Sequence, residues 1–284
     1  MGRPSSTSSR SGGNVTRRPR AAAESRYDTI PDLGLLYDNV PLYASRADVG
    51  FYVREATQTD GRVLELGCGT GRILLPIARA GRTITGIDSS REMLARCSAK
   101  LLEEPESVRA RVTLQADDVR SFDLGKTFDL VIAPFRVVQH LTAVEDQLQF
   151  LQTVARHLSP RGRFIFDVFN PNFSRLIAVD GTEQEDTPVQ TLADGRSFRR
   201  AARLTRVRWL DQVTETELIY YVSAAPGAAP RRYIHSFDMR WYLRAELLHL
   251  LARAGFAVEA IYGDFDYSPQ TDGSPEQVVI VRRL

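Results

Sequence analysis

The chain has 284 residues, 43% of them hydrophobic and 25% charged, an ordinary globular composition with enough length to bury a large core. Its net charge of +2 divides unevenly: residues 1–26 hold six arginines against one glutamate, or +5, leaving thirty-one basic and thirty-four acidic residues, or −3, for the rest. Charge therefore gives no support to a nucleic-acid-binding face on the folded part, no apolar run approaches the ~18–20 residues that cross a bilayer, and two cysteines supply neither a disulfide framework nor a zinc site.

Residues 1–26 have only Met1, Val15 and three alanines as apolar side chains, too few to fold, and read as a disordered basic tail. Their richness in Arg and Ser resembles an organelle transit peptide, but a disordered extension explains it as well, and the apolar stretch of a secretory signal is missing. A reducing, cytoplasmic setting fits the sparse cysteines, Cys68 and Cys97. Over residues 27–60, Leu33, Leu35, Leu36, Tyr37, Tyr43, Val49, Phe51, Tyr52 and Val53 predict one or two helices that cover something, before a break at Thr59-Asp60-Gly61.

Strand and helix then alternate over residues 61–170. Strands are expected at Arg62 to Leu66, Thr83 to Ile87, Val112 to Gln115, Phe128 to Ala133 and Arg163 to Val168. Helices are expected from Gly71 to Ala80, from a Ser89/Ser90 cap to about Leu102, and from Val144 to Leu158. That order means an α/β fold with a parallel sheet covered on both faces. Within residues 171–241 the period drops to two. Phe198 to Trp209, Val213 to Val222 and Tyr233 to Trp241 predict an antiparallel β insertion. Residues 242–284 return to the α/β core with a helix from Arg244 to Ala254 and two last strands, near Val258 to Tyr262 and Gln277 to Arg282.

The most informative run is Glu65-Leu66-Gly67-Cys68-Gly69-Thr70-Gly71, directly after a buried strand and before a helix. Glycines at alternate positions let backbone approach a ligand where a Cβ would collide. A dinucleotide loop would space them G-x-G-x-x-G to seat a pyrophosphate; here the spacing is G-x-G-x-G. Asp88, at the end of the second strand, can accept hydrogen bonds from both ribose hydroxyls. A nucleoside without a diphosphate is the better fit.

With Glu65, Gly67, Gly69 and Gly71 matching E/D-x-G-x-G-x-G, the sequence resembles the class I S-adenosylmethionine-dependent methyltransferases. The resemblance implies a Rossmann-like seven-stranded sheet with helices on both faces and its last strand antiparallel. It also implies S-adenosyl-L-methionine as cofactor and S-adenosyl-L-homocysteine as product. By the same resemblance Asp88 holds the ribose, Ser89 and Met93 flank the adenine, and Asp118, followed by Val119, contacts it. Cys68 and Ala133 border the cofactor.

After the fourth strand the chain reads Ala133-Pro134-Phe135-Arg136-Val137-Val138-Gln139-His140, which lacks the tetrapeptide of methyltransferases acting on DNA bases or glutamine amides. It is more similar to a small-molecule branch that includes amino-sugar N-methyltransferases, with a His after strand four and an N-terminal Tyr-Asp, here Tyr37-Asp38. His140 can take a proton from an ammonium or polarise a hydroxyl, or serve as a packed helix cap. Tyr37 and Tyr43 can point oxygens at the methyl or form an aromatic cover. Arg46 can pair with the cofactor carboxylate or with a nearby Asp. Phe135, Arg136, Arg240 and Tyr242 are candidates for the acceptor pocket. No metal ligand set is expected. The reading is methyl transfer to a small-molecule nitrogen or oxygen by a monomer or homodimer. A cofactor-binding regulatory protein and an RNA or protein methyltransferase are the alternatives.

Overall fold

Residues 26–284 are described by a computed structural model, so the expected tail lies outside the described residues except for Arg26. After a 3-10 turn at Arg26–Thr29 come three short helices, α1 (Leu33–Asp38), α2 (Pro41–Ala44) and α3 (Asp48–Thr57). One or two were expected. Pro41 lacks the amide hydrogen that would continue α1 and instead occupies the first turn of α2, so the segment breaks there.

Strands β1 (Val63–Leu66) and β2 (Ile84–Asp88) flank helix α4 (Leu74–Arg79). Helices α5 (Arg91–Leu102) and α6 (Glu106–Arg109) lead to β3 (Val112–Ala116) and β4 (Phe128–Ala133). A 3-10 turn at Val137–His140 and helix α7 (Val144–His157) precede β5 (Leu158–Phe169). After helix α8 (Phe173–Ile177), strands β6 (Gln184–Thr191), β7 (Ser197–Arg208), β8 (Val213–Ser223) and β9 (Arg231–Arg240) form a separate antiparallel sheet. Helix α9 (Arg244–Arg253) and strands β10 (Phe256–Tyr262) and β11 (Glu276–Arg283) return to the first sheet.

That sheet has seven strands in the order β10-β11-β5-β4-β1-β2-β3, with β11 antiparallel to both neighbours, as the family likeness implied. Its central strands are apolar nearly throughout because both faces are covered. On one face Phe51, Leu74, Ile77 and Cys97 pack from α3, α4 and α5; on the other, Phe150, Val154, Leu247 and Leu251 pack from α7 and α9. The parallel strands end together at Leu66, Asp88, Ala133 and Phe169, the edge where such sheets bind ligands.

The insertion has four strands where three were expected. The missed one, β6, contains Pro188 and pairs only with β7, the edge position to which a strand proline is confined. One face of this sheet, with Phe198 and Tyr220, packs on Ile30, Leu33, Leu36 and Val40 of the N-terminal segment. The two additions to the core thus pack against each other. Among the described residues no helix is long and apolar enough to cross a membrane.

Candidate active site

From β1 the chain turns through Gly67 at φ +70° and Gly71 at φ +81°. A Cβ on Gly67 would stand 2.5 Å from Val137 Cγ2, and one on Gly71 would stand 2.6 Å from Cys97 Sγ. Glycine is therefore required twice over, by conformation and by space. Between them the Gly69 N–H donates to Asp88 Oδ2 and the Ser90 N–H to Asp88 Oδ1, both at 2.8 Å. These bonds aim the half-buried carboxylate and leave lone pairs for further hydroxyl donors. Ser90 Oγ caps α5 by accepting from the Met93 N–H, and Ser89 beside it is exposed. The Met93 methyl lies near the open side of Gly69.

Glu65 is buried, and its Oε2 has no hydrogen-bond partner among the described residues. Burial pushes its carboxyl well above the ordinary value; Arg72 opposes the shift, and Asp88 and Asp48 add to it. A buried, unpartnered carboxylate next to a glycine cradle fits the ammonium of an amino-acid ligand.

Beyond β4, Phe135 and Arg136 both adopt left-handed backbone, φ 58° and 69°, at about 1–3 kcal/mol each. The Phe135 N–H donates to Asp167 Oδ1 (2.8 Å), and Arg136 Nη2 donates to Glu276 Oε1 (2.9 Å). The Phe135 ring meets Tyr37 and Tyr43 edge-on, with centroids 6.1 and 4.9 Å away, and the guanidinium groups of Arg46 and Arg72 lie over it. Arg72 grips Asp48 with two bonds of 2.7 and 2.6 Å. Tyr43 is held from the insertion, because Arg200, itself paired twice to Asp186, donates to its hydroxyl at 2.5 Å. Burial raises the Tyr37 phenol against the pull of Arg72, which suits it to donate a proton in a hydrogen bond rather than act as a base.

His140 ends the turn whose first residue, Val137, packs on Gly67. Its ring centroid lies 5.4 Å from Phe237 and 6.5 Å from Tyr27. His235 stands 4.5 Å from Tyr27 and 5.2 Å from Phe237. Two histidines and two aromatics therefore meet where the N-terminal segment, the turn after β4 and the insertion converge.

Several of the expected positions have partners within the protein. Arg46 is bound by Asp48 (3.0 Å), Asp167 (2.9 Å) and Glu276 (3.1 Å), so an anionic ligand would have to compete with three carboxylates. Arg136 is taken up by Glu276 in the same way. Arg240 pairs with Glu246 and tethers β9 to α9, and Tyr242 is fully buried in the core. Cys68 packs its sulfur under Gly86, leaving only its backbone to border a ligand. Burial alone would raise the Asp118 carboxyl, but Arg120 holds it below its ordinary value and occupies both oxygens. Val119 packs on the core, and Ala133 is buried at the end of β4.

The sequence reading missed Asp48, Arg72, Asp167, Glu276, Tyr27, Arg200 and His235. Two of them carried a signal: Asp167 interrupts the apolar run Phe164-Ile165-Phe166, and His235 shares a strand face with Tyr233 and Phe237. A cavity of about 580 Å3 lies on the β8–β9 sheet, lined by Glu215, Glu217, Ser236 and Asp238. Strand alternation sets those residues on the face opposite His235. Among the described residues no group of three His, Cys, Asp or Glu is placed to hold a metal ion.

A methyltransferase-domain model matches residues 63–162. A dTDP-3-amino-3,4,6-trideoxy-alpha-D-glucopyranose N,N-dimethyltransferase of Streptomyces venezuelae is 27% identical over 78% of this chain and 86% of its own. The CcbJ methyltransferase of Streptomyces caelestis superposes with a TM-score of 0.72 at 25% identity, over 87% of this chain and 94% of that one. SAM-bound CalS10, an amino pentose methyltransferase from Micromonospora echinaspora, does so at 0.63 and 26% identity, over 88% and 97%. The chain belongs to the class I S-adenosylmethionine-dependent methyltransferases, and S-adenosyl-L-methionine is its cofactor. Within that class it resembles the branch that methylates the nitrogen of amino sugars.

Proposed function

We propose that this enzyme methylates the amine nitrogen of a small molecule, with His140 as the base. The observation that carries this reading is the placement of His140 on a turn whose first residue packs on Gly67, beside the Tyr27 and Phe237 rings that also meet His235. The amine acceptors named for its relatives point the same way. The cofactor supplies a methyl already activated as a sulfonium. The chain has to align the acceptor, exclude water and remove one proton. Gly67, Gly69 and Gly71 would border the amino-acid part, Glu65 would face its ammonium, and Asp88 would hold the ribose. Tyr37, Tyr43 and Phe135 wall the methyl, and His140 takes the proton. The direct test is mass spectrometry of the purified enzyme with S-adenosylmethionine and a panel of amines, sugar alcohols and catechols. A product methylated only at oxygen would overturn the assignment to nitrogen.

Two smaller results should accompany it. Asp88→Asn replaces one acceptor oxygen by a donor, and should weaken S-adenosylhomocysteine binding by about 1–1.5 kcal/mol, some five- to twelvefold. Unchanged affinity by calorimetry would remove Asp88 from the ribose site. The second concerns the N-terminal segment as a lid. Asp28 accepts from Ser90 Oγ (2.5 Å), and Asp38 accepts from Thr70 Oγ1 (2.6 Å), Arg96 and Lys100, so the segment is pinned to the glycine loop and to α5. S-adenosylhomocysteine should slow hydrogen exchange across residues 30–50. Identical exchange with and without it would exclude a lid.

A further inference from the structure

We infer that Asp167, at the carboxyl end of β5, is the positioning residue that shapes the wall around the methyl by holding Phe135 in its left-handed turn. Asp167 is fully buried and accepts three hydrogen bonds, two from the N-terminal segment and one from the turn after β4. Tyr52 Oη of α3 donates to Oδ1 at 2.8 Å, the Phe135 N–H to the same oxygen at 2.8 Å, and Arg46 Nη2 to Oδ2 at 2.9 Å. A carboxylate within an apolar strand is unfavourable unless such bonds compensate it, and its position here is useful to the turn rather than to the sheet.

The turn needs that support. Phe135 and Arg136 are consecutive non-glycine residues at positive φ, a conformation that persists only where the surroundings over-determine it. Asp167 fixes the first through its amide, and Glu276 fixes the second through its guanidinium. Two consequences follow from the chain geometry. The Phe135 ring is set edge-on against Tyr37 and Tyr43, which are themselves in contact, and Val137 is carried against Gly67 with His140 three residues behind it. Asp167 also holds Arg46, which stacks over the same ring at 5.1 Å. It therefore sets the aromatic wall and the histidine turn through Phe135 and Arg46. This rests on the reading that the acceptor lies above Phe135 and beside His140.

The test compares Asp167→Asn with Asp167→Val in the full chain. Asn keeps an oxygen for the Phe135 and Tyr52 donors but turns an amide N–H toward Arg46, which keeps Asp48 and Glu276 as partners; Val removes every acceptor. Exchange of residues 134–141 should stay near wild type in the Asn variant and rise about tenfold in the Val variant, the factor set by one lost hydrogen bond to a charged group. Exchange of residues 184–240 should not change. With an amine acceptor from the panel, kcat of the Val variant should fall by about 10- to 100-fold, the Asn variant should recover most of it, and affinity for S-adenosylhomocysteine should stay within about twofold of wild type. Uniform loosening of both segments, or an Asn variant as impaired as Val, would overturn the inference. Should Val fail to fold, the wild-type Phe135 amide decides: it should exchange about tenfold more slowly than that of Arg136, and equal rates would overturn the inference. Should the wild type methylate no amine in the panel, the acceptor reading fails, and the exchange data alone still judge Asp167.

Discussion

Replacing His140 by alanine should lower methyl transfer to an amine by about 100- to 10,000-fold, the usual contribution of a general base, and leave S-adenosylhomocysteine affinity almost unchanged. An amine reaches the enzyme mostly as ammonium at neutral pH, without the lone pair that must attack. A base near the methyl raises the reactive fraction. In the proposed mechanism that base is His140, on the turn that begins with Val137 against Gly67 and faces Tyr27 and Phe237. The Tyr37 phenol, raised by burial, cannot take over the role near neutral pH. Rising pH should partly rescue the variant, because hydroxide then deprotonates the acceptor before it binds. A variant that keeps more than about half of wild-type turnover at every pH, far outside the general-base range, would show His140 to be a packing residue. His235, 4.5 Å from the Tyr27 ring, would be the next to replace.

Glu65→Gln should produce two effects of opposite sign. Without the negative charge, the cofactor ammonium would be buried unpaired, and S-adenosylhomocysteine affinity should fall by about 3 kcal/mol, or roughly 150-fold. The ligand-free enzyme should instead gain about 1 kcal/mol of stability at neutral pH, because a buried charge with an unpartnered oxygen has been removed. The sign follows from linkage. Burial raises the folded-state pKa of Glu65, so between the ordinary carboxyl value and the raised one the folded protein binds more protons than the unfolded chain. Wild-type stability therefore declines as pH rises through that window, and the advantage of the Gln variant should disappear at acid pH, below both values. Calorimetry and thermal melts at several pH values give both readouts. A variant that binds as tightly as wild type would show that Glu65 does not face the ammonium. A variant that is less stable at neutral pH would show that its carboxylate has a structural partner.

Local pattern alone determined much of this protein. Strand β4 begins and ends at Phe128 and Ala133 as the apolar run predicts, and helix α7 spans Val144–His157, one residue short of the expected end, because an apolar run and a helical period are written in neighbouring residues. The glycine triplet and Asp88 were legible for the same reason. Tight turns and strand ends are short-range features, and the Gly69–Asp88 bond joins two parallel strands that are adjacent in the chain order. Strand β6 was not legible, because an edge strand with one partner tolerates proline and charge and carries no clear alternation. The pattern offered Arg46 a nearby Asp, and Asp48 takes it, but it could not tell that Asp167 joins that pair or that Arg136 and Arg240 are engaged by carboxylates, since such ion pairs form between residues that the fold brings together. Tyr27, His140, His235 and Phe237 come from three segments separated by about 100 residues or more. Asp167 meets Tyr52 across 115 positions. Such contacts exist only after the seven-stranded sheet has ordered its strands and the insertion has packed onto the N-terminal helices. They are set by how the apolar faces pack together, and no local period records which side chains that packing makes neighbours.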